Sequence, residues 1–289
     1  MIIKIIKKLL GVKIMKFTFD HDYHVHSQLS KCSSDHEQTT ERILQYAKEN
    51  GLKSICVTDH FWDSDVPGAS EWYGGQNFPH ICESLPLPNA DGIKFYFGCE
   101  GDMDKNLTLG IAPDKFDKFN FMLVSTTHLQ MKGFTMDEED AIAENTAEIR
   151  AKLWKKRIFA LLDKDLPFEK MGLAHPACYH MCYKKRGRVE YVKTLDLIPE
   201  KDIEEVFSRI AKLGMGVELN RCDMSFSEEE KDSVLRMFKI AKSCGCKFYC
   251  GSDSHHPNNF EHVRSIFERA IDLLDLKESD KYHIPSKIC

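Results

Sequence analysis

The chain has 289 residues, room for one large domain or two small ones, with 42% hydrophobic and 29% charged residues, an ordinary globular composition. A formal net charge of −5 argues against nonspecific attraction to nucleic acid or to an anionic membrane. The 11 cysteines are odd in number and lack the spacing of a secreted disulfide framework, so they read as reduced thiols of a cytoplasmic protein.

The opening residues, MIIKIIKKLLGVKI, are basic and apolar. Lysines interrupt every apolar run and no small-residue cleavage site follows. The stretch is too short and too charged to span a bilayer. Residues 1–14 are expected to be a dispensable extension, with a membrane-surface helix as the alternative, and residues 15–289 a single domain.

From residue 16 on, short apolar runs alternate with longer amphipathic ones. Strands are expected at 16–23, 54–58, 93–98, 121–125, 171–174, 215–219 and 247–250. Helices are expected at 38–50, 137–163, 200–213, 228–243 and 259–274. Asn50-Gly51 and Gly214 mark helix ends, and Ser227 with Glu230 forms a capping box for the helix at 228. The alternation predicts an α/β fold of parallel strands with helical crossovers, and about seven such units suggest a closed or nearly closed barrel. Two stretches break the rhythm. Residues 61–91 are rich in Gly, Pro and aromatics, including Trp62, Trp72 and Tyr73, and residues 178–197 carry KKRGR at 184–188. Both are long for simple connections. They read as active-site loops, or as surface excursions that pack their own aromatics.

The ends of the strands carry the informative pattern. His24-Val25-His26, Asp59-His60, Glu100, His128, His175 and Asp253-Ser254-His255 each follow an apolar strand. In a parallel barrel all such ends meet on one rim, where active sites form. Extended chain points alternate residues the same way, so His24 and His26 share a direction. A lone histidine there reads as a hydrogen-bonded structural residue. Together, clustered carboxylates repel and clustered imidazoles desolvate badly unless a cation sits among them, and this donor mix suits zinc, iron and manganese. Cys244, Cys246 and Cys250 lack paired CxxC spacing, and there is no GxSxG elbow or phosphate-binding loop.

The ordered fragments DYHVHS, ICVTDH, FGCEGD, STTHL, GLAHP and GSDSHHP resemble the motifs of the polymerase and histidinol phosphatase (PHP) superfamily, over about residues 20–257. The resemblance implies a distorted seven-stranded (β/α)7 barrel of the TIM-like kind, usually three divalent metal ions (zinc, manganese or iron), and hydrolysis of phosphate esters. It makes His24, His26, Glu100 and Asp253 ligands of one ion. Glu100 would bridge to a second held by His128 and His175, and a third would take His60, His255 and one residue of the loop after His26. That loop, SQLSKCSSDHEQTT, is longer than usual; Asp35 is the chosen ligand and the adjacent His36 the substitute. Asp59 is expected to orient a ligand from behind it, or to carry protons. His21 and His256 are left outside the ligand set.

Two metals about 3.5–4 Å apart can hold a bridging hydroxide and balance charge on the attacking and leaving oxygens. Asp253 or His255 would then accept or deliver protons near the leaving group. Arg221, after the strand GMGVELN, is the candidate phosphate-binding residue, and Arg186 and Arg188 stand in the basic loop. The leading expectation is a cytoplasmic phosphomonoesterase acting on a small phosphorylated substrate, of the histidinol phosphatase kind. A nuclease or phosphodiesterase, and a noncatalytic metal-stabilised scaffold, are the alternatives.

Overall fold

The computed structural model describes residues 15–285 apart from 34, 132, 137–145 and 183–186. The proposed extension, the start of the helix expected at 137 and Arg186 therefore lie outside the described residues. Eight strands are described: β1 (His21–Val25), β2 (Ser54–Val57), β3 (His60–Phe61), β4 (Lys94–Asp102), β5 (Phe121–Ser125), β6 (Met171–Ala174), β7 (Gly216–Asn220) and β8 (Lys247–Gly251). All ladders between them are parallel, in the order β1-β2-β4-β5-β6-β7-β8. β3 resumes the line of β2 after a break at Thr58-Asp59: β2 pairs β4 through Phe97, and His60 then pairs Glu100. The result is a nearly closed barrel of seven parallel strands, with the α/β alternation the sequence predicts.

Main-chain and side-chain bonds across β1 and β8 close the ring. Asp253 N–H donates to His24 O at 2.7 Å and His26 N–H to Ser254 O at 3.1 Å. Lower down, Cys250 N–H donates to His21 Nε2 at 3.1 Å and Ser252 N–H to Asp22 Oδ1 at 3.0 Å. Burial pushes His21 below its ordinary pKa, so it is neutral, and accepting at Nε2 leaves Nδ1–H to face Asp20. His21 and Asp22 are thus part of the barrel seam.

Helices cover the outside: α1 (Thr40–Glu49), α2 (Phe78–Ile81), α3 (Ala147–Leu162), α4 (Gly187–Leu197), α5 (Glu200–Leu213), α6 (Arg221–Met224), α7 (Lys231–Ser243) and α8 (Val263–Leu273). Thr39 and Thr146 cap α1 and α3 by accepting from Arg42 N–H and Ile149 N–H. Gly214, at φ 75°, ends α5 in the left-handed conformation that a side chain would strain. The larger apolar core lies between strands and helices, with Val25, Ile55, Val124, Val217 and Phe248 meeting Trp154, Phe207 and Phe238. Tyr23, Phe121, Tyr249 and Tyr282 fill the barrel interior, and a Cβ at Gly172 would come within 2.6 Å of both Tyr249 and Phe121. None of the described helices is long and apolar enough to cross a membrane.

Three expectations need correction. The first strand is His21–Val25, not 16–23; Lys16 makes one antiparallel bridge to Lys277, while Phe17 and Phe19 pack into the outer core. The stretch 178–197 ends in helix α4. The helix expected from 228 begins at Lys231, after a turn at 228–230; Glu230 accepts from Ser227 N–H, one half of the expected capping box, and also binds Arg188.

Candidate active site and metal centre

The site stands at the C-terminal rim, and its first two residues enter through an irregularity. Asp22 bonds outward to the Tyr46 hydroxyl on α1, while Tyr23 points into the barrel. Strict alternation would send His24 outward. The register with β2 slips between Asp22 and Val25, and this bulge returns His24 to the interior. Val25 then packs outside and His26 inside, both histidines being fully buried.

Glu100 is the hub. Its Oε2 lies 3.0 Å from His60 Nδ1, 3.4 Å from His26 Nε2 and 3.5 Å from His24 Nε2, and its Oε1 lies 2.9 Å from His175 Nε2. Asp253 Oδ1 stands 3.3 Å from His26 Nε2 and 3.5 Å from His24 Nε2. The two Nε2 atoms of His24 and His26 are themselves only 3.0 Å apart. Asp253 and His175 both hold positive φ, at 52° and 29°, a local cost that the rim geometry sustains. Glu100 Oε2 and His60 Nδ1 are buried without a hydrogen-bond partner. Orphaned donors converging in this way fit a cation.

Three groups of facing ligand atoms result: His24, His26 and Glu100; Glu100, His128 and His175; and His26, Cys32, His60 and His255. Eight of the residues expected as ligands are thereby brought together, Asp253 beside the first group and Glu100 shared by two. Asp35 is the exception. Its carboxylate pairs with His256 Nε2 at 2.8 Å and belongs to none of the three groups, and His36 is exposed. The residue of this loop that reaches the cluster is Cys32.

Behind these candidate ligands stands a layer of groups that orient them. Glu218 Oε1 meets His24 Nδ1 at 2.8 Å, and its other oxygen accepts from His175 N–H at 2.5 Å. Asp59 accepts from the hydroxyls of Ser27 and Ser30, and Ser30 Oγ meets His26 Nδ1 at 2.9 Å. Asp59 therefore sits where an orienting residue was expected. Asp102 Oδ2 meets His128 Nδ1 at 2.9 Å and is held in turn by the buried Arg157. Thr127 Oγ1 meets His175 Nδ1 at 2.9 Å. Sequence reasoning missed Glu218, Asp102 and Cys32. A glutamate inside the apolar run GVELN was the available signal for the first.

Burial alone would lower the pKa of His24, but the carboxylates of Glu218, Asp253 and Glu100 overcome it and hold the imidazolium well above the ordinary range. Burial would likewise raise Glu100 and Asp253; the surrounding imidazoles reverse this and keep both carboxyls well below theirs. A raised histidine stabilises the fold fully below its unfolded value, about 6.5, and the gain fades as pH rises through the folded value. Depressed carboxyls stabilise above their unfolded values, about 4, and lose the gain as pH falls through the folded ones. In metal-free protein the pairing of His24 with Glu100 and Asp253 should thus stabilise the fold most between about pH 4 and 6.5, while His60 and His255, whose pKa values burial lowers, oppose it as pH falls below about 6.5. A cation held by His24 would take the place of its proton. The melting-temperature gap between zinc-loaded and chelator-stripped protein is expected to widen from about pH 6.5 to 8.5. A gap that stays constant over that range, measured by calorimetry, would contradict this account.

The cluster opens into a cavity of about 470 Å³ lined by Cys32, His60, Trp72, Glu100, His128, Met131, His180, Asp253 and His255. Of the two irregular stretches, the first thus does both things expected of it: Trp62 and Tyr73 pack with Phe134, and Trp72 walls the site. A smaller neighbouring cavity of about 220 Å³ is lined by Tyr179, His180, Arg188, Asn220, Arg221 and Asp253. Arg221 Nε donates to Ser252 O at 3.0 Å, which points its guanidinium along the rim beside Asp253. Arg188 is bound to Glu230.

A family model described as PHP domain matches residues 22–222. A probable phosphatase of Caldicellulosiruptor saccharolyticus is 22% identical over 225 residues, 75% of this chain and 73% of that protein. A probable phosphatase of Caldicellulosiruptor bescii is 22% identical over 224 residues, covering 75% and 72%. Among solved structures, histidinol phosphate phosphatase from Lactococcus lactis, complexed with zinc, L-histidinol and phosphate, superposes with a TM-score of 0.56 at 17% identity, over 92% of this chain and 99% of that one. The matched segment runs through the strand ends that deliver His24, His26, His60, Glu100, His128 and His175 to one rim, and with that match the chain belongs to the PHP domain family and is a phosphoesterase.

Proposed function

We propose that this phosphoesterase hydrolyses a small phosphomonoester, using about three divalent cations held by the histidine–carboxylate cluster. The observation that carries the reading is Glu100 Oε2: a buried carboxylate oxygen with no hydrogen bond, within 3.0–3.5 Å of three imidazole nitrogens. His24, His26, Glu100 and Asp253 would hold one cation, Glu100, His128 and His175 a second, and His60 with His255 a third. Such cations, once bound, acidify water to supply a nucleophile near neutral pH and neutralise charge on phosphate oxygens.

The chain's own groups do the rest. His24, His26, His128 and His175 are locked by hydrogen bonds at Nδ1, so each presents Nε2 to the centre. Burial and the neighbouring His26 lower His255 to about 3, and Asp253 is held ionised, so at neutral pH both offer lone pairs to a cation with no proton to displace. Trp72 and Met131 wall the cavity against bulk water. The two adjoining cavities suit a phosphoryl group with a compact organic moiety. We place the phosphate beside Arg221, whose side chain has no carboxylate partner among the described residues.

A panel of phosphomonoesters, dinucleotides and oligonucleotides, run with manganese, iron or zinc, tests the reading. Turnover confined to small monoesters is expected. Preference for oligonucleotides would favour the nuclease alternative, and no turnover with any metal the scaffold. Arg221→Ala is expected to raise KM for the best substrate about tenfold with unchanged metal content. Equal KM and kcat in the variant would remove Arg221 from the site.

A further inference from the structure

The third group of donors contains a thiol. We propose that Cys32 binds a divalent cation together with His60 and His255 and makes this position select thiophilic ions, zinc or ferrous iron, over manganese and magnesium. The proposal rests on reading the cluster as a metal centre.

Cys32 Sγ and one ring nitrogen each of His26, His60 and His255 all lie within 4.8 Å of one another. The His26 ring stacks on His255 at 4.1 Å and lies 4.5 Å from His60. His26 has only Nε2 to give, because Nδ1 is taken by Ser30, and Nε2 faces Glu100 and Asp253. That leaves Cys32, His60 and His255 for the third position. A second, independent observation points the same way. His60 is only 5% exposed, and although its Nδ1 lies 3.0 Å from Glu100 Oε2, neither atom makes a hydrogen bond.

The loop presents the thiol in a fixed place. Ser33 N–H donates to Ser30 O at 2.8 Å, and Lys31 N–H donates to Gln76 Oε1 at 2.8 Å. Asp35, the nearest carboxylate along the loop, is committed to His256. Cys32 is exposed and lines the cavity, so an ion can reach it. On binding, the S–H proton leaves to solvent and sulfur donates its electron pair; nothing is oxidised or reduced. Thiolate with two imidazoles favours zinc and ferrous iron, whereas manganese and magnesium favour oxygen.

The test uses the full chain, stripped of metal and titrated with cobalt(II). Wild type is expected to show both visible ligand-field bands and a near-ultraviolet thiolate-to-cobalt band. Cys32→Ser should lose the thiolate band and bind its last equivalent of zinc at least about tenfold more weakly. Cys32→Asp should lose the band, regain the equivalent, and shift preference toward manganese. Zinc should also shield Cys32, but not Cys82 or Cys244, from iodoacetamide, read by peptide mass spectrometry. Ligand-field bands without a thiolate band in wild type, or a band unchanged in Cys32→Ser, would overturn the role of Cys32 and leave the metal centre standing. No stoichiometric cobalt binding at all would overturn the metal centre itself.

Discussion

Glu100→Ala is expected to abolish turnover, by about 10³-fold or more, and to lower the metal content of the protein at the same time. Glu100 belongs to two of the three donor groups, and its carboxylate also faces His60 at 3.0 Å. His26 also belongs to two groups, but Glu100 is the one carboxylate among the described residues that does so. Removing it leaves His24, His26, His60 and His175 converging on a cavity whose remaining counter-charges are Asp253 at the rim and Glu218 behind His24. Like-charged or lone-pair-bearing nitrogens about 3 Å apart repel without a shared cation or proton. Glu100→Gln separates charge from shape, since the amide keeps the volume and loses the anion. It should still fold, with the packing of the rim kept, and fail to hold a full complement of metal. Elemental analysis beside steady-state kinetics decides the matter: a Glu100→Ala protein with full metal and full activity would show that the bridge does not exist.

Glu218→Gln is expected to weaken metal binding about 10–100-fold although its side chain faces away from the cavity. It ties together two ligands from opposite sides of the barrel, bonding His24 Nδ1 on β1 and the His175 main-chain N–H after β6. Gly251 gives it room. A Cβ there would overlap the Glu218 carboxylate and come within 2.7 Å of His24 Cβ. The amide of the Gln variant would retain packing and lose the charge that holds His24 in the orientation offering Nε2 to the centre. Glu218→Ala should do worse, adding roughly 3 kcal/mol of destabilisation from the unpaired buried His24. Chelator-competition titrations of both variants, with thermal melts alongside, separate affinity from stability. Metal affinity equal to wild type in Glu218→Gln would show that His24 needs no such anchor.

Much of this was legible in the sequence. Apolar runs alternating with amphipathic ones could bury their faces only as parallel strands wrapped by helices, and six strand ends bearing His, Asp or Glu had to meet wherever those strands ended together. His24, His26, His60, Glu100, His128, His175, Asp253 and His255 are such cases: position along the chain was enough, because strand direction is common to all of them. The split of β2 from β3 was less visible. The turn at Thr58-Asp59 frees Asp59 to bind Ser27 and Ser30, and that depends on a neighbour far away in sequence.

Other features were settled only in three dimensions. The sequence alone put His24 and His26 on one side of an extended chain; it took the bulge between Asp22 and Val25 to decide that this side was the interior. Glu218 reads as one acidic residue in an apolar strand until the closing of the barrel sets it against His24 from a strand almost two hundred residues earlier. The loop after His26 offered Asp35, His36 and Cys32 with nothing local to rank them. The side chain that reaches the cluster is fixed by the turn at Ser30–Ser33 and by the competing partner His256, both consequences of how the rim loops pack. Composition and periodicity determined which elements form and which strand ends converge, because hydrophobic burial and strand direction act along the chain. Which of two neighbouring donors enters the site was decided by tertiary structure, because it turns on contacts of a few tenths of an ångström between segments distant in sequence.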